Sequence, residues 1–149
     1  MKILDIYKPQ RAKRKKIHRI KVNKARTRKT FLDKSENDFA LKASEGGWLT
    51  ESQIETGRRS IKKILEREGR LKIPISTNYP VTHKGVGARI GKGRGDPKYW
   101  VASIRPGEIL YEVGGAPKKL VLKALVSASK KIPVRCKISI REERKKEKV

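Results

Sequence analysis

Between Lys8 and Lys29 the chain carries twelve Lys or Arg and not one acid: KPQRAKRKKIHRIKVNKARTRK. A run of that charge density cannot collapse on itself, and Ile17, Ile20 and Val22 are too few to make a core. It reads as an arm, disordered alone and ordered when laid against a lattice of phosphates, rather than as a solvated tail or localisation signal. The rest must fold without it, so the domain is expected to keep its fold if residues 1–29 are removed. The sequence divides into a basic arm (1–37), a folded domain (38–140) and a charged tail (141–149).

The whole chain of 149 residues has a formal net charge of +25. Such self-repulsion is sustained beside a polyanion, and nucleic acid is the leading partner. A membrane is not expected, because no run approaches the roughly 20 apolar residues that span a bilayer. Nor does the one basic helix have the broad apolar face of a surface-lying helix. A single cysteine leaves no internal disulfide and no CxxC-type metal site. Cys136 alternates with Val134, Ile138 and Ile140 and reads as a small core residue.

The second strongly basic stretch is Lys84–Arg105, KGVGARIGKGRGDPKYWVASIR. Five glycines (Gly85, Gly87, Gly91, Gly93, Gly95) are interleaved with Lys84, Arg89, Lys92 and Arg94. Glycine lets a backbone approach a partner closely, and the cations then face that partner, which suits phosphate better than a merely soluble linker would need. Two nucleotide motifs fail on spacing. Gly85 and Gly91 enclose five residues where a P-loop has four, and Gly91 comes one position late for a dinucleotide fingerprint. The fifteen acids are scattered, unlike the clustered carboxylates of a two-metal nuclease. His18, inside the basic run, reads as one more RNA-facing donor rather than a catalyst or metal ligand, and His83, beside the loop with no Cys or second His nearby, as a hydrogen-bonding or RNA-facing residue rather than a catalyst. No enzyme, cofactor or small-molecule substrate is expected.

Folding is expected to begin near Asp38, with a strand at Phe39–Ala43 and a turn at Gly46–Gly47. Thr50-x-x-Gln53 has capping-box spacing and opens a helix. Ile54, Gly57, Ile61, Ile64 and Leu65 trace its apolar stripe, and Arg58, Arg59, Lys62, Lys63 and Arg67 fall mainly elsewhere. Gly69 should stop it. Glu55 precedes Arg58 and Arg59 by three and four, the spacing of ordinary helix-surface pairs. A strand follows at Leu71–Ile75, whose Pro74 suits an edge, then an irregular connection over Ser76–Lys84. Tyr99–Ile104 reads as a strand with Ile109–Val113 as its hairpin partner. Pro117 begins a second helix carrying Leu120, Val121, Ala124, Leu125 and Ala128; Val134–Ile140 is the last strand. The sum is α+β: two helices on one face of a largely antiparallel sheet, with the arm and the glycine loop protruding.

Five segments together resemble a known family. These are PQRAKRKKIHR (Pro9–Arg19), WLTESQIETGRRSI (Trp48–Ile61), GARIGKGRG (Gly87–Gly95), YWVASIRPGEILYEVGG (Tyr99–Gly115) and the KKIP before the last strand. In order and spacing they resemble the large-subunit ribosomal protein numbered sixteen in the bacterial scheme. The resemblance implies an α+β fold without catalytic activity, bound to large-subunit rRNA beside the tRNA acceptor arm near the peptidyl-transferase centre and adjoining other ribosomal proteins. Arg89, Lys92 and Arg94, with Gly91 and Gly93 between them and Gly87 and Gly95 flanking, match the loop that reaches toward that centre. Arg11, Lys13, Lys15, Lys16, His18 and Arg19 match the family's basic start, and Arg58 and Arg59 its helix arginines. Lys21–Asn37 is longer and more basic than the family pattern, and His83, Gly85 and Gly87 depart from its usual approach to the loop. The rival reading is a free-standing basic DNA- or RNA-binding regulator. With 25 Lys and 15 Ile, the composition suggests an AT-rich organellar genome. The match starts about eight residues in, leaving no room for a transit peptide. A mitochondrial ribosome is therefore expected, with plastid or bacterial cytoplasm as alternatives.

Overall fold

The computed structural model describes Tyr7 and residues 16–18, 39–66, 68–91 and 93–140. Among the described residues the domain is α+β, with two helices and seven strands in antiparallel sheets. The strands are β1 (Phe39–Ala43), β2 (Gly47–Thr50), β3 (Arg70–Lys72), β4 (Tyr79–His83), β5 (Asp96–Ile104), β6 (Ile109–Gly114) and β7 (Cys136–Ile140). They form two sheets rather than one, in the orders β3-β6-β1-β7 and β2-β5-β4. Helix α1 (Glu51–Leu65) follows β2 directly, and α2 (Lys118–Ser129) lies between β6 and β7.

The local signals for α1 act as expected. Thr50 accepts from the Gln53 N–H at 3.4 Å, and the Gln53 side chain accepts from the Thr50 N–H at 2.9 Å, closing the capping box. The helix ends before Gly69: Glu66 itself adopts the left-handed conformation (φ 48°) and donates its N–H to the Lys62 carbonyl. Gly69 instead serves the next turn. Its φ is +78°, and a Cβ there would lie 2.7 Å from the Gly114 carbonyl oxygen, just where β3 joins β6.

Ile54, Ile61 and Leu65 of α1 and Val121, Ala124, Leu125 and Ala128 of α2 are all buried, and the two helices pack on each other. Beneath them lie Leu41 and Tyr111. Tyr111 is the largest fully buried side chain, and its hydroxyl donates to the Ile54 carbonyl at 2.8 Å. That approach is possible because residue 57 is glycine: any Cβ there would overlap the Tyr111 hydroxyl and lie 2.9 Å from Cζ. Gly57 is therefore a socket in the apolar stripe.

Ile109–Val113 is not the hairpin partner of β5. Both edges of β5 are taken, by β2 and β4, while β6 pairs with β1 and β3. The turn itself explains the crossover. Gly107 (φ +82°) donates its N–H to the Ala43 carbonyl at 2.7 Å, and Ala43 donates to the Glu108 carbonyl at 2.9 Å. The turn is thus pinned to the end of β1, which hands β6 to the other sheet. Two further corrections concern strands: Gly47 begins β2 rather than completing a turn, and the connection expected over 76–84 contains β4. β3 is shorter than expected, ending at Lys72, and is an edge strand. Cys136 is half-buried on the other edge strand and packs against the core; burial pushes its thiol up to about 11.

Tyr7 also belongs to the core, although it precedes the basic run and the domain was expected to start near residue 38. It is 7% exposed, and its carbonyl accepts from both the N–H (3.0 Å) and the hydroxyl (2.6 Å) of Thr77.

Candidate nucleic-acid interface

The glycine stretch is the loop of the β4–β5 hairpin, whose last pair is His83 with Asp96. The register dictates a protruding tip: both strands run antiparallel up to that pair, and residues 84–95 turn back outside the sheet. Gly87, Gly91 and Gly93 have φ of +79°, +96° and +83°, and a Cβ on any of them, or on Gly85, would meet nothing within 4 Å. These are the positions where backbone can meet a partner closely. Gly95 differs. A Cβ there would overlap the His83 carbonyl, so this glycine closes the hairpin.

Lys84 donates to the Gly91 carbonyl at 2.7 Å, bracing the loop from within. Arg89 is exposed, and Val86 and Ile90 beside it are fully exposed. Lys92 lies outside the described residues.

Of the basic start, Lys16 and His18 are described and exposed; Arg11, Lys13, Lys15 and Arg19 lie outside the described residues. Residues 16–18 run against the hairpin. Lys16 Nζ donates to the Arg94 carbonyl at 3.2 Å and stands 3.4 Å from the Asp96 carboxylate. Arg94 reaches back to donate to the Ile17 carbonyl. The Tyr79 hydroxyl faces the carbonyls of Ile17, at 3.2 Å, and His18. Residues 16–18 and the base of the loop, far apart in sequence, are thereby brought together.

The helix arginines sit in a different network. Glu55 is not an ordinary surface partner but is 3% exposed. Its Oε1 accepts from Arg58 Nη2 (2.6 Å) and Arg59 Nε (3.0 Å), and its Oε2 from Arg58 Nε (2.8 Å) and the Tyr7 hydroxyl (3.1 Å). The bidentate Arg58 bond, reinforced by Arg59 and Tyr7 against the opposing effect of burial, holds the Glu55 carboxyl down at about 2. Burial, then the Glu55 hydrogen bond, pushes Tyr7 up to about 12. The Arg58 guanidinium is turned inward, whereas the Arg59 side chain is 67% exposed. Of the pair, Arg59 presents more charge outward.

Residues 8–139 match the family model for ribosomal protein L16p/L10e. The chain belongs to the ribosomal protein L16p/L10e family. As an L16p/L10e member it has a structural role in the large ribosomal subunit, where its partners are rRNA and other ribosomal proteins. The family is structural rather than enzymatic.

Three residues that position the interface elements of this L16p/L10e chain are not legible in its sequence. Tyr79 was placed in an irregular connection, and nothing local marks its hydroxyl as a partner for carbonyls 61 and 62 residues away. Asp96 has no sequence neighbour that marks it as the partner of Lys16, 80 residues earlier. Tyr7 carried no signal, because one aromatic before a basic run looks like part of the arm.

Proposed function

We propose that this chain binds large-subunit rRNA through its basic arm and glycine loop, beside the tRNA acceptor arm and near the peptidyl-transferase centre, and so supports translation. The observation that carries the reading is the juxtaposition of residues 16–18 of the basic run with the base of the cationic loop. Contacts of such a surface go mainly to phosphates and 2′-hydroxyls, which need cations and close backbone rather than base-edge readers. The open glycines at 87, 91 and 93 and exposed Arg89 suit the loop tip to the tRNA side. Arg59, Lys84, Arg89, Lys92 and the basic residues of the arm are the proposed RNA contacts, with Arg58 and Arg94 beside them. The Lys- and Ile-rich composition supports placing the ribosome in a mitochondrion rather than a plastid or bacterium.

Two measurements test this reading. The chain should sediment with the large subunit in high-magnesium gradients, where a free-standing regulator would separate. The purified protein should bind a large-subunit rRNA transcript with a steep salt dependence, several log units per log salt if about ten phosphates are neutralised. A flat salt response would overturn the proposal.

A further inference from the structure

We propose that a clasp built from Tyr79, Arg94 and the Lys16–Asp96 pair holds residues 16–18 beside the glycine loop as one preorganised polyanion-binding surface. The inference rests on the RNA-binding reading above and adds to it which residues position the surface rather than touch RNA.

Two polycationic segments repel each other, and residues 84–95 contain no acid to relieve that repulsion. What joins them is reciprocal. Lys16 reaches the backbone of Arg94, and Arg94 reaches the backbone of Ile17. The main-chain carbonyls supply the negative ends that the side chains of this region lack. Asp96 is the first acid after the loop, and its side chain is 95% exposed. On an RNA-facing surface a lone carboxylate opposes phosphate binding, so its place 3.4 Å from Lys16 is best understood as a tether. Tyr79 gives the clasp its fixed point. Its residue is only 6% exposed, it is held in β4 opposite Val101, and its ring lies 5.6 Å from that of Trp48. From that anchored ring the hydroxyl meets the carbonyls of Ile17 and His18.

Holding two binding segments at a set separation makes the second contact intramolecular and spares the entropy of ordering it on the RNA. Tyr79 and Arg94 are then positioning residues, and direct contact falls to exposed groups such as Arg89 and His18.

The test uses the full chain with Tyr79→Phe, which removes the hydroxyl and keeps the ring against Trp48. Binding to a large-subunit rRNA transcript should weaken roughly threefold to tenfold, the effect of about one hydrogen bond. The salt slope should stay the same, since no charge is lost. The melting temperature should hold, and tryptic cleavage beside Lys16 in the RNA-free protein should quicken. Unchanged affinity with unchanged cleavage would overturn the clasp. A flat salt response of the unmodified chain would overturn RNA binding instead, and the cleavage assay would still judge the clasp. If Tyr79→Phe melts lower, Asp96→Asn decides, because that side chain stands in solvent. Charge alone predicts tighter RNA binding by Asp96→Asn, whereas the clasp predicts weaker binding; equal or tighter binding overturns it.

Discussion

The Tyr7 hydroxyl donates to Glu55 at 3.1 Å across 48 residues of sequence. This bond ties the start of the chain to the middle of α1, and the Thr77 bonds to the Tyr7 carbonyl tie it to the segment just before β4. Tyr7 is thus anchored on two sides, while residues 16–18 lie against the hairpin.

Removing residues 1–29 would take Tyr7 out of the core, so the truncated domain should fold with reduced stability. Truncating a buried aromatic costs about 3–5 kcal/mol, while removing only its hydroxyl costs about 1 kcal/mol. Tyr7→Ala should lower stability by the larger amount and Tyr7→Phe by the smaller. Urea unfolding followed by helical circular dichroism measures both. A Tyr7→Ala midpoint equal to the parent's would mean that Tyr7 contributes nothing to the core.

Glu55 should make stability depend on pH in the acid range. Its carboxyl is held at about 2, below the ordinary value, so its contribution is complete above about pH 5 and disappears as pH falls toward 2. A shift of that size corresponds to roughly 3 kcal/mol, an upper figure because Arg59 faces solvent. Glu55→Gln should therefore be less stable than the parent at pH 7, with a gap that narrows steadily between pH 5 and pH 2. Tyr7 acts in the opposite direction: its raised value means that its contribution holds below pH 10 and is lost as pH rises through about 12. A Glu55→Gln gap independent of pH would show that the carboxylate charge is not what the arginines recognise.

What the sequence made legible were features written in neighbouring residues. The Thr50–Gln53 box, the Phe39–Ala43 strand, the helix after Pro117 and the cationic glycine loop all declare themselves within a turn or two of chain. Pairing partners do not. Ile109–Val113 looked like the mate of β5, because only the distant contact between Gly107 and Ala43 diverts it to β1. Glu55 looked like a surface acid because helix spacing reveals Arg58 and Arg59 but not Tyr7. The contact of residues 16–18 with the loop is hidden for the same reason: apart from the Lys16–Asp96 pair its bonds run to carbonyls, which every residue possesses and no side-chain pattern encodes.

Gly57 offers a prediction about packing alone. Alanine favours a helix by about 1 kcal/mol over glycine, so on an exposed face Gly57→Ala would stabilise. Here the added methyl collides with Tyr111 and forces its hydroxyl off the Ile54 carbonyl. Overpacking of this kind costs about 1–3 kcal/mol, and the displaced hydrogen bond adds to it, so the net effect should be destabilising. Tyr111→Phe should recover part of the loss in the Gly57→Ala background while destabilising the parent. Thermal melts of the four proteins measure the coupling, and additive effects would mean that the two residues do not meet.

Arg89 tests the division between anchoring and acting. It is exposed in a loop whose Gly87 and Gly91 have open space around them and whose tip gives nothing to the core. Arg89→Ala should consequently leave folding and incorporation intact, since the arm, the helix face and the hairpin remain. Its planar guanidinium can bridge phosphates as a lysine's point charge cannot, so the loss should fall on what the loop tip does in the assembled ribosome. With the tip beside the tRNA acceptor end, as proposed, ribosomes carrying Arg89→Ala should accommodate tRNA or form peptide bonds more slowly at normal occupancy of the protein. Arg89→Lys should recover less than the retained charge alone would predict. Occupancy by quantitative mass spectrometry and the rate of single-turnover peptide transfer separate the outcomes. Normal occupancy with an unchanged rate would make the loop a filler. Lost occupancy would make Arg89 an anchor and move the functional contact elsewhere on the hairpin.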